Sequence, residues 1–116
     1  MRRALAAAAF ASLLAACTAP DASGLYRWGG YEDSAAIVMR DSAAQHLSDE
    51  IRRISGDIEK AQVEGRRVPP GLHAHLGYLY DLSGNPESAA LEFEQEKALY
   101  PESAKFMDGL LRRMHK

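Results

Sequence analysis

The chain has 116 residues, 47% of them hydrophobic and 26% charged, with a formal net charge of −2 and a single cysteine. That length fits one domain and leaves little room for a catalytic pocket beside a cofactor domain. The charge argues against nucleic acid as a main partner, since phosphate binding needs a surplus of Lys and Arg on one face. One cysteine excludes an internal disulfide and any multi-cysteine metal site.

Arg2 and Arg3 precede a run of 13 residues, 4–16, in which only Ser12 is polar. A membrane-spanning helix needs about 20 apolar residues. The run has instead the length of the apolar segment of a signal peptide. It ends Leu14-Ala15-Ala16-Cys17, which resembles the bacterial lipobox. The resemblance implies cleavage before Cys17, a diacylated thioether on its sulfur, and acylation of the new amine with a chain such as palmitate. Small residues let the peptidase approach, and the lone cysteine stands where this motif requires it. The alternative is an ordinary secretory signal followed by an unmodified cysteine. Thr18 follows, where Asp retains many lipoproteins in the inner membrane; its absence implies the outer membrane, with the domain on the periplasmic face. Two or three acyl chains anchor far more firmly than one. Loss of Arg2 and Arg3 with the leader leaves 12 basic residues against the 16 acidic ones, a net charge of −4.

The mature chain divides into residues 17–30, an acylated cysteine, tether and aromatic start, and 31–116, a helical domain. Residues 18–24 are small, polar and broken by Pro and Gly, which suits a tether. Seven extended residues reach at most about 25 Å, so the domain stays near the membrane. Residues 25–31 carry Tyr26, Trp28 and Tyr31. They form either an aromatic plug on the domain or a docking patch, because Trp, Tyr and Arg dominate interface hot spots. A short helix is predicted over 32–40. The clearest helix is 43–64, where Ala44, Leu47, Ile51, Ile54, Ile58 and Ala61 recur at spacings of three and four. Asp49 and Arg53 are its expected i,i+4 pair. Residues 65–71, with Pro69-Pro70 and two glycines, break the chain, and Arg66 and Arg67 read as a solvated turn. Helices follow over 72–83 and 86–99, with Pro86 suited to a first helical position. The last, 102–114, carries the stripe Phe106, Leu110 and Met114 and a basic end that fits the helix dipole. No segment reads as a strand.

Residues 73–101 resemble one tetratricopeptide repeat, a helix-turn-helix of about 34 residues. Leu76-Gly77, Tyr80, Gly84, Ala89, Phe93 and Pro101 fall at its marked positions. Gly77 and Ala89 would let two helices approach, Tyr80 and Phe93 would fill the space beside them, and Pro101 would end the second. His73 stands where the pattern has Trp, and Glu96 where it has Ala. No second copy is found 34 residues away. The expected fold is therefore all-α, a short array of four to five helices built around this one helix-turn-helix.

More broadly, the chain resembles a family of small Gram-negative lipoproteins with a domain of unknown function. The matching stretches are the lipobox, Leu25-Tyr26-Arg27-Trp28-Gly29-Gly30-Tyr31, residues 68–79 and residues 93–103. Genes of that family typically stand beside those of a lipoprotein resembling the curli secretion channel and of a second small lipoprotein. The resemblance implies an envelope assembly with those proteins as partners. Ala35 and Ala36 replace larger residues of the relatives, which implies looser packing of the first helix.

Little in the chain points to catalysis. His73 and His75 lie two apart, so on a helix they point away from each other and do not share an ion. Glu92, Glu94 and Glu96 read as a solvated acidic face, since acid–base work needs a pocket. No phosphate loop, G-x-S-x-G or H-E-x-x-H occurs. The expectation is a protein that is not an enzyme and carries no metal or other cofactor. Candidate partner contacts are Trp28 and Tyr31 in the aromatic start, together with Tyr78, Asp81 and Leu82. The last three stand at positions matching the ligand-facing side of a repeat's first helix. Tyr78 is as readily explained by packing under the helix 43–64. The favoured role is an interaction module for an envelope complex. A regulator of an envelope enzyme, such as a peptidoglycan synthase, is the alternative.

Overall fold

The computed structural model describes residues 25–40 and 43–116. Cys17 and the leader lie outside the described residues. Five helices follow in order: α1 (Tyr31–Arg40), α2 (Ala44–Val63), α3 (Leu72–Leu82), α4 (Pro86–Leu99) and α5 (Ala104–Met114), with a 3₁₀ turn, Pro101–Ser103, before the last. The protein is all-α, as its helical periodicities predict. Among the described residues there is no strand; one isolated parallel bridge joins Tyr26 to Arg67.

Each helix packs on its neighbour in sequence. Two antiparallel hairpins result, α1–α2 and α3–α4, and α5 closes the second. Of the predicted α2 stripe, Ala44 is exposed and Ile51 half-buried, while Leu47, Ile54, Ile58 and Ala61 are buried. With Val38 of α1 and Leu72, Leu76 and Leu79 of α3 they form the larger core. The smaller core is Ala89, Phe93 and Met107, flanked by Tyr80, Leu110, Leu111 and Met114. α3 and α4 approach closely at Gly77, where a Cβ would stand 2.6 Å from the Phe93 ring and 3.1 Å from the Ala89 carbonyl. The small residue at this position is thus required by contact.

The two hairpins begin alike. Helix α1 starts after Gly30, whose N–H donates to Asp57 Oδ2 of α2 at 2.9 Å. Helix α3 starts after Gly71, whose N–H donates to Glu96 Oε1 of α4 at 2.7 Å. The other oxygen of Glu96 accepts from the Ala74 amide at 3.3 Å. In both, a carboxylate from the second helix satisfies orphan amides at the start of the first and complements its dipole. The start of α4 is capped locally, by Asn85 Oδ1 accepting from Ser88 N at 3.1 Å with Pro86 behind it. Tyr100 ends α4 and donates its hydroxyl to the Val68 carbonyl at 2.5 Å, tying that end to the α2–α3 loop.

Three expectations from periodicity are corrected. Glu96 is no solvated residue: it is 2% exposed, because it serves the start of α3. Phe106 is 66% exposed, and Met107 is the buried anchor of α5: Met107, rather than Phe106, shares the packed face with Leu110 and Met114. Asp49 pairs with Arg52 at 2.7 Å rather than with Arg53. Arg53 is drawn inward instead, where it donates to the Gly30 carbonyl and lies 3.7 Å from Glu50.

Candidate functional site

Tyr78, near the middle of α3, is 49% exposed. The α3 residues that gather with α2 in the larger core are Leu72, Leu76 and Leu79, so Tyr78 is not packed beneath α2. It stands where two hollows meet. One, about 320 Å³, is lined by Tyr78, Asp81, Phe93, Leu110, Arg113 and Met114. The other, about 260 Å³, is lined by Tyr31, Ala35, Val38, Met39, His75 and Tyr78. Helices α1, α3 and α5 therefore share one face, and Tyr78 is its central residue. Its aromatic body with a polar tip suits a surface that is partly apolar and partly wet.

The aromatic start joins this face. Tyr26 and Trp28 meet edge-on at 5.8 Å, Trp28 and Tyr31 are 6.5 Å apart, and Tyr31 meets the His75 ring edge-on at 5.2 Å. Trp28 remains 40% exposed. Sequence reasoning treats the aromatic start and α3 as separate candidates; the fold makes them one run of rings leading to Tyr78. Asp81 and Arg113 both line the first hollow. Leu82 does not join them: it lines another hollow, of about 420 Å³, with Ala44, Leu47, Ser48 and Ile51.

Behind the face lies a polar cluster that the sequence did not signal. Ser34 of α1 is fully buried, with its Oγ 2.9 Å from His75 Nε2. Burial holds the His75 imidazole below its ordinary range, and the nearby Glu50 carboxylate opposes that shift in part. Glu50 and Arg53 form a pair at 3.7 Å, and Glu50 Oε2 and Arg53 Nε lack hydrogen-bond partners. Serine beside histidine is also the geometry of a nucleophile and its base. Ser34, however, is enclosed, and an acyl group on its oxygen would have no space. The pair instead fastens α1 to α3. His73 points the other way, with Nδ1 2.6 Å from Glu92 Oε2 of α4, as the spacing of two requires. Among the described residues no three His, Cys, Asp or Glu side chains gather as a metal site would need. Nor is any described helix long and apolar enough to cross a membrane.

A family model described as a domain of unknown function, DUF4810, matches residues 25–110. No curated protein and no solved structure matches the chain. The match begins at the first described residue, so the family's domain includes the aromatic start as well as the helices.

Proposed function

The chain belongs to the DUF4810 family, and we propose that it is a lipid-anchored interaction module of the outer membrane that joins envelope proteins on its periplasmic face. The observation that carries this reading is Tyr78, half exposed between two hollows on a face built by three helices. Trp28 and Tyr31 extend that face, and Asp81 and Arg113 supply charge at one side of it. Apolar and aromatic side chains would provide the binding energy, with charge setting the register.

The helix pair α3–α4 supports a tetratricopeptide-like reading. It has the close approach at Gly77 and the turn at Gly84, with φ of 79°. In such arrays the first helices of successive pairs line the binding face, here α1, α3 and α5. Acylation of Cys17 would confine the module and its partners to one surface and raise their effective concentration. Partners fitting this arrangement are other envelope lipoproteins, such as one resembling the curli secretion channel and a second small lipoprotein.

Cross-linked capture from envelope fractions tests the reading. Tyr78→Ala is expected to weaken specific capture by about tenfold, the effect of losing an interface hot spot of roughly 1.4 kcal/mol. Leu82→Ala, on a different hollow, is expected to leave capture unchanged. If Tyr78→Ala folds and captures as the wild type does, this face is not the binding site.

A further inference from the structure

One histidine ties α1 to α3, and a second partner stands beside it. Ser34 Oγ, fully buried, lies 2.9 Å from His75 Nε2, and the Tyr31 ring meets the His75 ring edge-on at 5.2 Å. Apart from Ser34, α1 buries only Val38, so little apolar contact holds it down. From α2, the Glu50 carboxylate lies near enough to the His75 ring to favour its charged form. Glu50 is 6% exposed, and its Oε2 accepts no hydrogen bond. Its ionic partner, Arg53, stands 3.7 Å away, with Nε also unpartnered. Tyr31 and Tyr78 are the other polar side chains lining the hollow at His75. A neutral imidazole suits Ser34, with which it shares one hydrogen. A charged imidazole has two donors and calls for a carboxylate, and the one beside it is Glu50.

We propose that α1 is an acid-released flap: a proton taken from solvent by His75 exchanges Ser34 for Glu50 as the partner of the ring and lets α1 lift. Gly30 stays tied to Asp57 and Arg53 of α2, which makes the start of α1 the hinge. The sign follows from burial. With α1 in place the enclosed ring resists the charge. With α1 lifted the ring regains water and keeps Glu50, so the open form binds the proton more readily. The closed form is therefore fully favoured above the ordinary value of 6.5 and loses ground as the pH falls below it. The consequence for binding rests on the Tyr78 face being the interaction surface. Tyr31, Ala35, Val38 and Met39 of α1 line the hollow on one flank of Tyr78. Lifting α1 dismantles that flank, while Phe93, Leu110 and Met114 keep the other. Acid thus reduces partner binding without unfolding the body.

The test is thiol labelling of the purified chain with dithiodipyridine, read by peptide mass at the labelled position. Val38→Cys reports a side chain that is 7% exposed when α1 is closed. Met39→Cys, at a position 88% exposed, corrects for the reagent's own pH dependence. The ratio of the two rates should be low above pH 6.5 and rise several-fold below it, while helical circular dichroism stays constant. Glu50→Gln should move the rise to lower pH, because the charged ring loses its carboxylate. Ser34→Ala should raise the ratio already at neutral pH. His75→Gln should abolish the pH dependence. A ratio that stays flat while the helices persist, or that rises equally in His75→Gln, overturns the flap. Labelling uses no partner, so its outcome is separate from that of capture through Tyr78. A flap that opens while capture in acid matches capture at neutral pH overturns the consequence for binding.

Discussion

The two hairpins start in the same way and are held together differently. In each, a glycine precedes the first helix and a carboxylate from the second helix accepts its N–H: Gly30 with Asp57, Gly71 with Glu96. In α3–α4 the helices then touch through Gly77, Ala89 and Phe93, with no room for a methyl group. In α1–α2 the contact is thinner and more polar. Helix α1 buries only Ser34 and Val38, and it is fastened by hydrogen bonds from Ser34 to His75, from Gly30 to Asp57, and from Arg53 to the Gly30 carbonyl. Apolar contact is insensitive to pH and strict about volume. Polar contact has the opposite properties. The second hairpin therefore serves as the rigid frame of the molecule and the first as its adjustable side, which matters because Tyr78 has α1 on one flank.

The largest effect should come from the two capping carboxylates. Glu96→Ala leaves two amides unsatisfied in the interior and is expected to destabilise the fold by roughly 1.5–3 kcal/mol. Asp57→Ala, at the half-buried equivalent, should lose only about 1 kcal/mol. Denaturant unfolding of both variants measures the difference, and equal losses would mean that the hairpins are fastened alike. Next in size is a pair of glycines. Gly77→Ala forces a methyl group against the Phe93 ring and should be destabilising by about 1–3 kcal/mol. Gly56→Ala, in α2 with open space around it, should stabilise by about 0.5–1 kcal/mol. Thermal melts that moved in the same direction for both would sink the claim of close approach at Gly77.

The smallest effect is with pH. His75 is neutral in the folded state because burial holds its imidazole below the ordinary value of 6.5. Once the pH falls below that value the unfolded chain binds a proton that the folded chain resists. Stability is then lost progressively as the pH falls toward the folded value, and it is fully present above 6.5. Amide exchange should show α1 opening first. A His75→Gln variant should have a flatter dependence of stability on pH; an unchanged slope would assign the effect elsewhere.

Much of this fold was legible from local signals. The periodicity of 43–64, Pro86 behind Asn85, and the Pro and Gly of 65–71 mark helix bodies, starts and breaks through interactions within a few residues. The small residues at 77 and 89 likewise point to a close helix pair. The first hairpin's likeness to the second was not legible. Its two helices differ in length from α3 and α4, and its matching features, Gly30 and Asp57, are 27 residues apart and paired only in space. The candidate face was partly legible: Trp28 and Tyr31 were marked by residue type, and Tyr78 and Asp81 by their positions in the repeat pattern, but their convergence depends on how α1 and α5 flank α3. Leu82 was misgrouped because one position along a helix turns a side chain by about 100°, enough to move it to the hollow beside α2.

By itself the sequence determined the helices and their order, because helix periodicity and capping are local. Only the tertiary structure decided which polar side chains lie inside. Glu96 and Glu94 are two residues apart in the same acidic run, yet one caps α3 in the interior and the other meets Lys97 at the surface. A carboxylate's own sequence neighbours do not distinguish those fates. What distinguishes them is whether a helix N-terminus stands opposite, with amides that would otherwise be buried without a partner.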